Sequence, residues 1–261
     1  MTPELYDDIG RTYATTRHAD PRIAAAIQEG LGDARTVLNV GAGTGSYEPA
    51  DREVVALEPS SVMIDQRPPG AAPVVQGGAE ELPFADGSFD AVMAVLSDHH
   101  WGDRRRGLAE LRRVARGRVV LFNANPGEAD LFWLTAEYLP EFRGLIPPRY
   151  RVAGAWHDEL REVLGAVELT PVPVPHDCTD SFYGAHWRRP DAYLDPAVRA
   201  GTSVFSLVSS GAVDRAIKAL GADLRDGRWQ ERHRELLSMD RLHLGYYVIV
   251  AEPTSQTGGR T

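Results

Sequence analysis

Apolar runs and amphipathic stretches alternate along most of the chain. The run from Phe89 to Leu96 is apolar without polar alternation, which is typical of a parallel strand that is covered on both faces. Strands are predicted at residues 36 to 40, 53 to 57, 73 to 76, 89 to 96, 119 to 122, 167 to 174 and 242 to 251. Because helical patterns separate most of these runs, the chain predicts an α/β fold with a doubly wound, mostly parallel seven-stranded sheet.

Capping signals place helices between those strands. Asp20 followed by Pro21 predicts a helix start, because aspartate caps free amides and proline is pre-set for the first helical position. Ser60 can cap a short helix through its hydroxyl. Helices are predicted at residues 22 to 30, 60 to 66, 103 to 115, 128 to 138, 156 to 164, 196 to 208, 212 to 220 and 227 to 238.

A long excursion, residues 175 to 241, separates the last two predicted strands. Long excursions within a compact domain are more often functional than not, so we expect a lid or substrate wall. The expected organisation is an N-terminal helical arm and first helix (1 to 34), a cofactor-binding α/β core (35 to 174), this insertion (175 to 241), the last core strand (242 to 253) and a disordered tail (254 to 261).

Glycine occupies every second position where the first predicted strand ends, at Gly41, Gly43 and Gly45. Such a loop needs positive φ angles or a close approach of its backbone to a ligand. It is not a P-loop, since no Gly-Lys-Ser/Thr follows, and Ser46 stands where a dinucleotide fingerprint has its third glycine. Glu58, after the second strand, stands where a carboxylate binds ribose hydroxyls. The pattern therefore indicates a ribose-bearing ligand.

The connection between the first two strands is short. Only residues 41 to 52 separate them, and Pro49 limits any helix there to about one turn. We therefore expect the amides of residues 43 to 47 to contribute more to ligand binding than a helix dipole does.

Four sequence blocks, in this order, resemble the class I S-adenosylmethionine-dependent methyltransferases, in particular their small-molecule, type 11-like branch. The blocks are Val37-Leu38-Asn39-Val40-Gly41-Ala42-Gly43-Thr44-Gly45, Val55-Ala56-Leu57-Glu58-Pro59-Ser60, Gly78-Ala79-Glu80-Glu81-Leu82-Pro83-Phe84 and Ser88-Phe89-Asp90-Ala91-Val92. The resemblance covers about residues 35 to 125. It implies a Rossmann-like methyltransferase fold and S-adenosyl-L-methionine as the cofactor.

The resemblance also implies where that cofactor binds. The glycine loop would lie under its methionine part, Glu58 would bind its ribose, and an arginine or tyrosine of the N-terminal arm could meet its carboxylate. The aromatic side chains of the arm could equally dock it on the core. The predicted cofactor residues are Tyr13, Arg17, Gly41, Ala42, Gly43, Gly45, Glu58, Pro59, Met63, Gly78, Ala79, Glu80, Leu96 and Ser97.

Two histidines, His99 and His100, follow the fourth strand. In the family's strand order the ligand crevice lies between strands one and four, so the pair faces the glycine loop. Histidine can accept a proton near neutral pH, and we expect one of the pair to be a general base, with a rate that rises with pH through a pKa of about 6 to 7. His100 is favoured because it directly precedes Trp101. The alternative is that one histidine caps the strand or helix and the other packs on Trp101.

The expected substrate is a small, partly aromatic or apolar metabolite that is methylated on oxygen, nitrogen or carbon. Its predicted contacts are Trp101, Tyr138, His176, Phe182, Tyr183, His186 and Trp187. No bound metal is predicted, because no known ligand spacing is present. The residues that could still converge as metal ligands are His99, His100, His176, Asp177 and His186. The alternative function is a protein that binds the cofactor without transferring methyl, either as a binding module or as a repurposed catalyst of another rearrangement.

Composition narrows the possible partners. A net charge of −9 argues against duplex nucleic acid, which is bound by clustered lysine and arginine. The basic stretches at residues 104 to 106 and 112 to 113 are interpreted as a solvated helix face. A single cysteine, Cys178, excludes an internal disulfide and a cysteine-cluster zinc site. With no long apolar run and no signal-peptide pattern, we expect a cytoplasmic protein with no membrane partner.

Overall fold

The structure, a computed structural model, describes residues 16 to 253. Tyr13, most of the predicted arm and the predicted tail lie outside these residues. The strands are β1 (Thr36–Val40), β2 (Glu53–Glu58), β3 (Val74–Gln76), β4 (Phe89–Val95), β5 (Ala115–Ala124), β6 (Val167–Pro171), β7 (Val174–Pro175), β8 (Arg241–Leu242) and β9 (Tyr246–Ala251). The helices are α1 (Pro21–Leu31), α2 (Ser61–Asp65), α3 (Arg104–Val114), α4 (Ala155–Leu164), α5 (Pro196–Ala200), α6 (Val204–Leu207), α7 (Ser210–Arg225) and α8 (Arg228–Arg232).

Seven strands form one sheet in the order β3-β2-β1-β4-β5-β9-β6. The first five in that order pair in parallel, and β9 runs antiparallel to both β5 and β6. The predicted doubly wound, mostly parallel sheet is confirmed. Since β1 and β4 are neighbours whose chains continue to opposite flanks of the sheet, their carboxyl ends bound the crevice where such folds bind ligands.

Helices cover both faces of the sheet. Val37 and Leu38 are adjacent on β1 and both are fully buried, one in each of two apolar clusters. Ile23 of α1 belongs to the first cluster, and Leu108 of α3 belongs to the second. Two-sided burial explains why the central strands are apolar throughout.

Prolines and one glycine shorten the last strands relative to the prediction. β6 ends at Pro171, and a second proline, Pro173, follows. Because proline has no N–H to donate to a strand ladder, the strand cannot continue through these positions. Gly245, with a φ of +75°, turns the chain just before β9. The intervening strands β7 and β8 pair separately as a two-stranded sheet.

The predicted helix at residues 128 to 138 is wrong. A 3₁₀ helix, Pro126–Leu131, precedes a π-helical turn, Leu134–Tyr138. Between them Phe132 and Trp133 are buried, as is Leu134. One face of an α-helix cannot bury three consecutive residues, so the chain leaves the helical path here.

The insertion packs into the same apolar core as α1 and one face of the sheet. Trp187 and Trp229 are buried, at 0% and 1% exposure, in the same apolar cluster as α1. The Trp133 indole donates to the Trp187 carbonyl at 2.8 Å, and the Trp187 indole donates to the Val174 carbonyl at 3.0 Å. None of the helices within residues 16 to 253 has the length and apolar character that crossing a bilayer requires.

The interpretation of residues 104 to 106 as a solvated face is wrong for Arg104. Its guanidinium is buried and lies 2.7 Å from the Asp98 carboxylate and 2.5 Å from the Glu159 carboxylate. Neighbouring Arg105 is exposed, and its ion pair with Glu162 is a surface contact. The arginine run therefore contains one internal structural residue and two exposed ones.

Arg104→Met should lower the free energy of unfolding by about 3 to 5 kcal/mol, because it leaves two buried carboxylates without their cation. Arg105→Met is the matched control, since it removes the same group from the surface, and it should leave stability nearly unchanged. Urea unfolding of both variants measures the difference. Similar midpoints for the two variants would contradict the internal role of Arg104.

Candidate functional site

Two adjoining cavities lie at the carboxyl ends of β1, β2 and β4. The first, about 180 Å³, lies between the glycine loop, the end of β2 and the segment after β4. The second, about 450 Å³, lies between that same segment, residues 123 to 150 and the insertion. The residues that line both cavities are Arg17, Leu96, His100, Trp101 and Gly102. We call these five residues the junction.

The glycine loop lines the first cavity with a backbone that other residues rarely adopt. Gly41 has a φ of +67° and Gly43 a φ of +52°. A Cβ on Gly41 would lie 2.6 Å from the Cβ of Ser97, whose hydroxyl donates to the Val40 carbonyl at 3.0 Å. Glycine at position 41 therefore allows the loops after β1 and β4 to touch.

Glu58 lies buried beneath this loop, at 5% exposure. One carboxylate oxygen accepts from the Gly43 amide at 2.7 Å, and the other accepts from the Ser60 amide at 3.0 Å. Burial raises the pKa of Glu58 above its ordinary value, although these amides oppose the shift. Because a carboxylate oxygen can accept two hydrogen bonds, each oxygen keeps the capacity to accept one from a ligand hydroxyl.

An internal ion pair supports the loop from behind. The side chains of Arg67 and Glu48 are largely covered, at 5% and 9% exposure, and lie 2.7 Å apart, and Arg67 also donates to the Gly43 carbonyl at 3.1 Å. Gly45 faces this pair, where a Cβ would lie 2.9 Å from the Glu48 carboxylate. Gly45, which is predicted to contact the ligand, therefore faces away from the first cavity and does not line it.

The expected role of the loop amides also needs correction. Residues 41 to 52 form turns and no helix. The Gly43 amide is used by Glu58, and the Gly45 amide donates to the Ala42 carbonyl at 2.9 Å. These two amides are therefore structural and are not available to a ligand.

Asn39, at the end of β1, lines the first cavity and was not predicted from the sequence. Its Nδ2 donates to Glu48 at 3.2 Å. Its Oδ1 is buried and has no hydrogen-bond partner within residues 16 to 253. A buried acceptor of this kind is satisfied when a ligand supplies a donor. The sequence does contain a signal that could have identified Asn39, because it is a polar residue inside an apolar strand run.

Most of the predicted cofactor residues share the first cavity. Those that line it are Arg17, Gly41, Ala42, Gly43, Glu58, Pro59, Met63, Gly78, Ala79, Glu80, Leu96 and Ser97. Glu80 also accepts hydrogen bonds from the Gly102 and Asp103 amides, at 2.7 and 3.2 Å, and so ties this wall to the junction.

The second cavity has a mostly apolar, aromatic wall. Of the predicted substrate residues, Trp101, Phe182 and Tyr183 line it. Tyr183 stacks on Phe142, with ring centroids 5.1 Å apart and planes 4° apart. The other large apolar side chains of the wall are Phe132, Leu145, Ile146, Trp156, Leu207 and Leu244.

Four of the predicted substrate contacts do not line either cavity. Trp187 is a core residue, and the Tyr138 hydroxyl donates to Asp223 at 2.8 Å. His176 lies beside the Asp240 carbonyl at 3.3 Å, and His186 is buried 3.0 Å from the Ser181 hydroxyl. Within residues 16 to 253, no three His, Cys, Asp or Glu side chains are grouped to hold a metal ion.

Leu96 turns the chain out of β4 in a strained conformation. Its φ is +50°, and it is the only non-glycine residue within 16 to 253 with a positive φ. Its amide donates to the Phe122 carbonyl at 2.8 Å, which holds this geometry. Strained residues of this kind cluster at ligand sites, and Leu96 lies at the junction.

The histidine pair follows this turn, with ring centroids 3.9 Å apart. His100 lies at the junction, whereas His99 lines only the second cavity. Desolvation by the surrounding side chains lowers the pKa of His99 below its ordinary value, although this side chain is exposed to the second cavity, and burial lowers the pKa of His100 well below its ordinary value. Both imidazoles are therefore neutral at pH 7 and can accept or donate a hydrogen bond.

Comparison with known proteins is consistent with this geometry. A family model described as a methyltransferase domain matches residues 38 to 122. A solved putative methyltransferase from an antibiotic biosynthesis pathway of Anabaena variabilis ATCC 29413 is 32% identical, with a TM-score of 0.81. The alignment covers 92% of this chain and 99% of that one.

Shorter sequence matches are to methyltransferases that are named for quinone substrates or quinone biosynthesis. The ubiquinone/menaquinone biosynthesis C-methyltransferase UbiE of Geobacter sp. (strain M21) is 35% identical over 144 residues. The demethylmenaquinone methyltransferase of Beutenbergia cavernae is 36% identical over 155 residues. These alignments cover 49% and 53% of this chain, and 61% and 64% of the respective relatives.

Proposed function

The chain belongs to the class I S-adenosylmethionine-dependent methyltransferases, and from this premise we propose that it methylates a small, largely apolar metabolite held in the second cavity. The observation that carries the proposal is the junction. A polar cavity with a glycine loop and a buried carboxylate meets a larger aromatic cavity at Leu96, His100 and Trp101. Donor and acceptor bound in these cavities would meet there.

The residues of the first cavity fit the cofactor, S-adenosyl-L-methionine. Glu58 has one lone pair left on each oxygen, which suits two ribose hydroxyls. The Asn39 Oδ1 is a buried acceptor that a cationic amine would satisfy. Gly41 and Gly43 leave the loop surface free of side chains, so the ligand can contact the backbone.

The chain's own residues would position the reactants and move one proton. When bound, the cofactor supplies a methyl group on a sulfonium, which a nucleophile takes by in-line displacement. Trp101 is fixed at the junction because its ring packs on Gly107, where any Cβ would overlap it. Neutral His100 is placed to accept the proton that the nucleophile gives up.

The second cavity supports a substrate of aromatic or polycyclic size. At about 450 Å³ it lies in the range of small-molecule sites, and its wall is mainly aromatic. One relative is named as a C-methyltransferase of ubiquinone and menaquinone biosynthesis, a second as a demethylmenaquinone methyltransferase, and a third as a putative methyltransferase of an antibiotic biosynthesis pathway. The two quinone names fit an apolar ring system as the acceptor.

Incubation with methyl-labelled S-adenosylmethionine and a panel of uncharged aromatic metabolites tests the proposal. We expect labelled product and S-adenosylhomocysteine to appear together in equal amounts, as detected by mass spectrometry. Tight cofactor binding without transfer to any panel member would favour instead a protein that binds the cofactor without methylating.

Tyr183→Ala and Trp187→Ala separate the cavity wall from the core of the insertion. Tyr183→Ala should raise the substrate KM, because it removes a ring from the cavity wall. Trp187→Ala should instead lower the free energy of unfolding by about 3 to 5 kcal/mol, because its indole is fully buried. Steady-state kinetics and urea unfolding check both, and a KM effect at Trp187 with normal stability would contradict the assignment.

A further inference from the structure

Asn123, on β5, lies beside the histidine pair, and two neighbours fix the orientation of its amide. Its Oδ1 accepts from the Ala124 backbone N–H at 2.8 Å, a group that can only donate. Its Nδ2 donates to the carboxylate of Asp98. That carboxylate can only accept, because it is ion-paired with Arg104 at 2.7 Å. The nitrogen of the Asn123 amide therefore faces the histidines.

This orientation determines the tautomer of His99. The Asn123 Nδ2 lies 3.4 Å from the His99 Nδ1, and a nitrogen that receives an N–H carries no proton of its own. The proton of the neutral ring is then on Nε2, at the far side of the ring from Asn123. Within residues 16 to 253, no hydrogen-bond partner faces that Nε2, and His99 lines the second cavity.

We infer that His99 donates a hydrogen bond through Nε2 to an oxygen atom of an uncharged substrate, and that Asn123 is the positioning residue that sets its tautomer. The inference rests on the proposed function, because it assigns the second cavity to the substrate. The His99 side chain is exposed and lines this cavity, so its N–H is accessible to a ligand there, and a carbonyl oxygen is the acceptor that an apolar ring system carries. When His100 removes a proton from such a substrate, the oxygen gains negative charge, which the His99 N–H stabilises.

The charges around the cavity support an uncharged substrate. Each arginine of the wall already has a carboxylate partner: Arg17 with Asp180 at 2.6 Å, Arg104 with Asp98 at 2.7 Å and with Glu159 at 2.5 Å, and Arg149 with Glu159 at 3.3 Å. Three guanidinium groups therefore meet three carboxylates. To pair with Arg17 or Arg104, an anionic substrate would have to displace a carboxylate from a buried pair, which is costly, whereas Arg149 is 57% exposed and its pair lies at the surface.

Nitrogen-15 NMR of the histidine side chains tests the tautomer directly. The full chain is measured with S-adenosylhomocysteine at neutral pH, and His99→Gln identifies the His99 signals. We expect a neutral ring with its proton on Nε2. A proton on Nδ1, or a cationic ring, would overturn the inference. Asn123→Leu should increase the Nδ1–H population, and the wild-type spectrum alone decides if that variant does not fold.

Binding of three probes with one bicyclic skeleton tests the substrate class. The probes are 1-tetralone, which has a carbonyl, tetralin, which lacks it, and 1-naphthoate, which is anionic. We expect 1-tetralone to bind about three- to tenfold more tightly than tetralin, and 1-naphthoate to bind most weakly. This preference for the ketone should disappear in His99→Leu and return in His99→Gln, whose amide N–H replaces the donor but cannot act as a base.

Equal binding of 1-tetralone and tetralin by the wild-type protein would overturn the inference, as would tightest binding of 1-naphthoate. Loss of the ketone preference in His99→Gln as well as in His99→Leu would also overturn it. None of these measurements requires methyl transfer. A protein that binds the ketone through His99 but transfers no methyl would therefore refute the proposed function and leave this inference standing.

Discussion

Replacing Gly43 with valine should abolish detectable binding of S-adenosylmethionine while the protein stays folded. Gly43 has a φ of +52°, which a β-branched residue adopts only under strain. Its Cβ would lie 3.2 Å from the Met63 methyl, so the valine branches would occupy the first cavity. A backbone shift that relieves this strain would also disturb the 2.7 Å hydrogen bond from the Gly43 amide to Glu58. We expect affinity to fall at least about 100-fold, or roughly 2.7 kcal/mol, by titration calorimetry.

Gly70→Val is the matched control for backbone strain. Gly70 has a φ of +86° at an exposed turn, and a Cβ there would meet no atom within 4 Å. It therefore carries a comparable conformational cost without entering the cavity, and cofactor affinity should be retained. Unchanged affinity in Gly43→Val would refute the cofactor site. Equal losses in the two variants would show that strain alone, and not the cavity, is responsible.

The sequence predicted those parts of the site that a strand end determines locally. Gly41 and Gly43 lie in the loop that begins directly after β1, Glu58 is the last residue of β2, and the carboxyl ends of these neighbouring parallel strands meet at one edge of the sheet. Because β1 and β2 are neighbours, these residues share one cavity. An apolar run followed by a glycine loop or a carboxylate marks such a strand end in the sequence. Gly45 shows the limit of this logic, because its partners, Glu48 and Arg67, come from two different loops.

The substrate wall was predicted less well because its residues belong to a packed layer with two sides. Phe182 and Tyr183 line the cavity, whereas His186 and Trp187, only a few positions later, turn into the core. An irregular segment has no period from which to infer direction. A large aromatic side chain is sheltered from solvent whether it lines the cavity or packs in the core, and only the tertiary packing distinguishes these two positions.

Arg104 and Asn123 were missed for a different reason. Their partners are remote in sequence: Glu159 is 55 positions from Arg104, and Asp98 is 25 positions from Asn123. A basic run such as residues 104 to 106 normally indicates a solvated face, since arginine is buried only when it is paired. No local sequence pattern indicates that pairing. The contacts of Arg104 and Asn123 with Asp98, which lie beside the histidines, are therefore found only in the structure.

His100→Ala should lower kcat by about 10² to 10⁴-fold while cofactor affinity stays within a few-fold of the wild type. The expected loss follows from the position of His100 at the junction, where its neutral ring can take the proton of the nucleophile. His176→Ala is the matched control, because His176 lies outside both cavities and should leave kcat unchanged. Near-normal kcat in His100→Ala would show that catalysis depends on positioning alone.

The pH dependence of kcat gives the sharper test of that base. Only the neutral imidazole accepts a proton, so kcat should rise as pH increases through the pKa of His100 and be constant above it. Burial lowers this pKa well below its ordinary value, so the rising limb should lie well below the ordinary histidine value of about 6.5 on which the sequence prediction rests. The limb should disappear in His100→Ala and persist in His176→Ala. A limb centred above 6.5, or one unaffected by loss of His100, would assign the titration to another group and remove His100 from proton transfer.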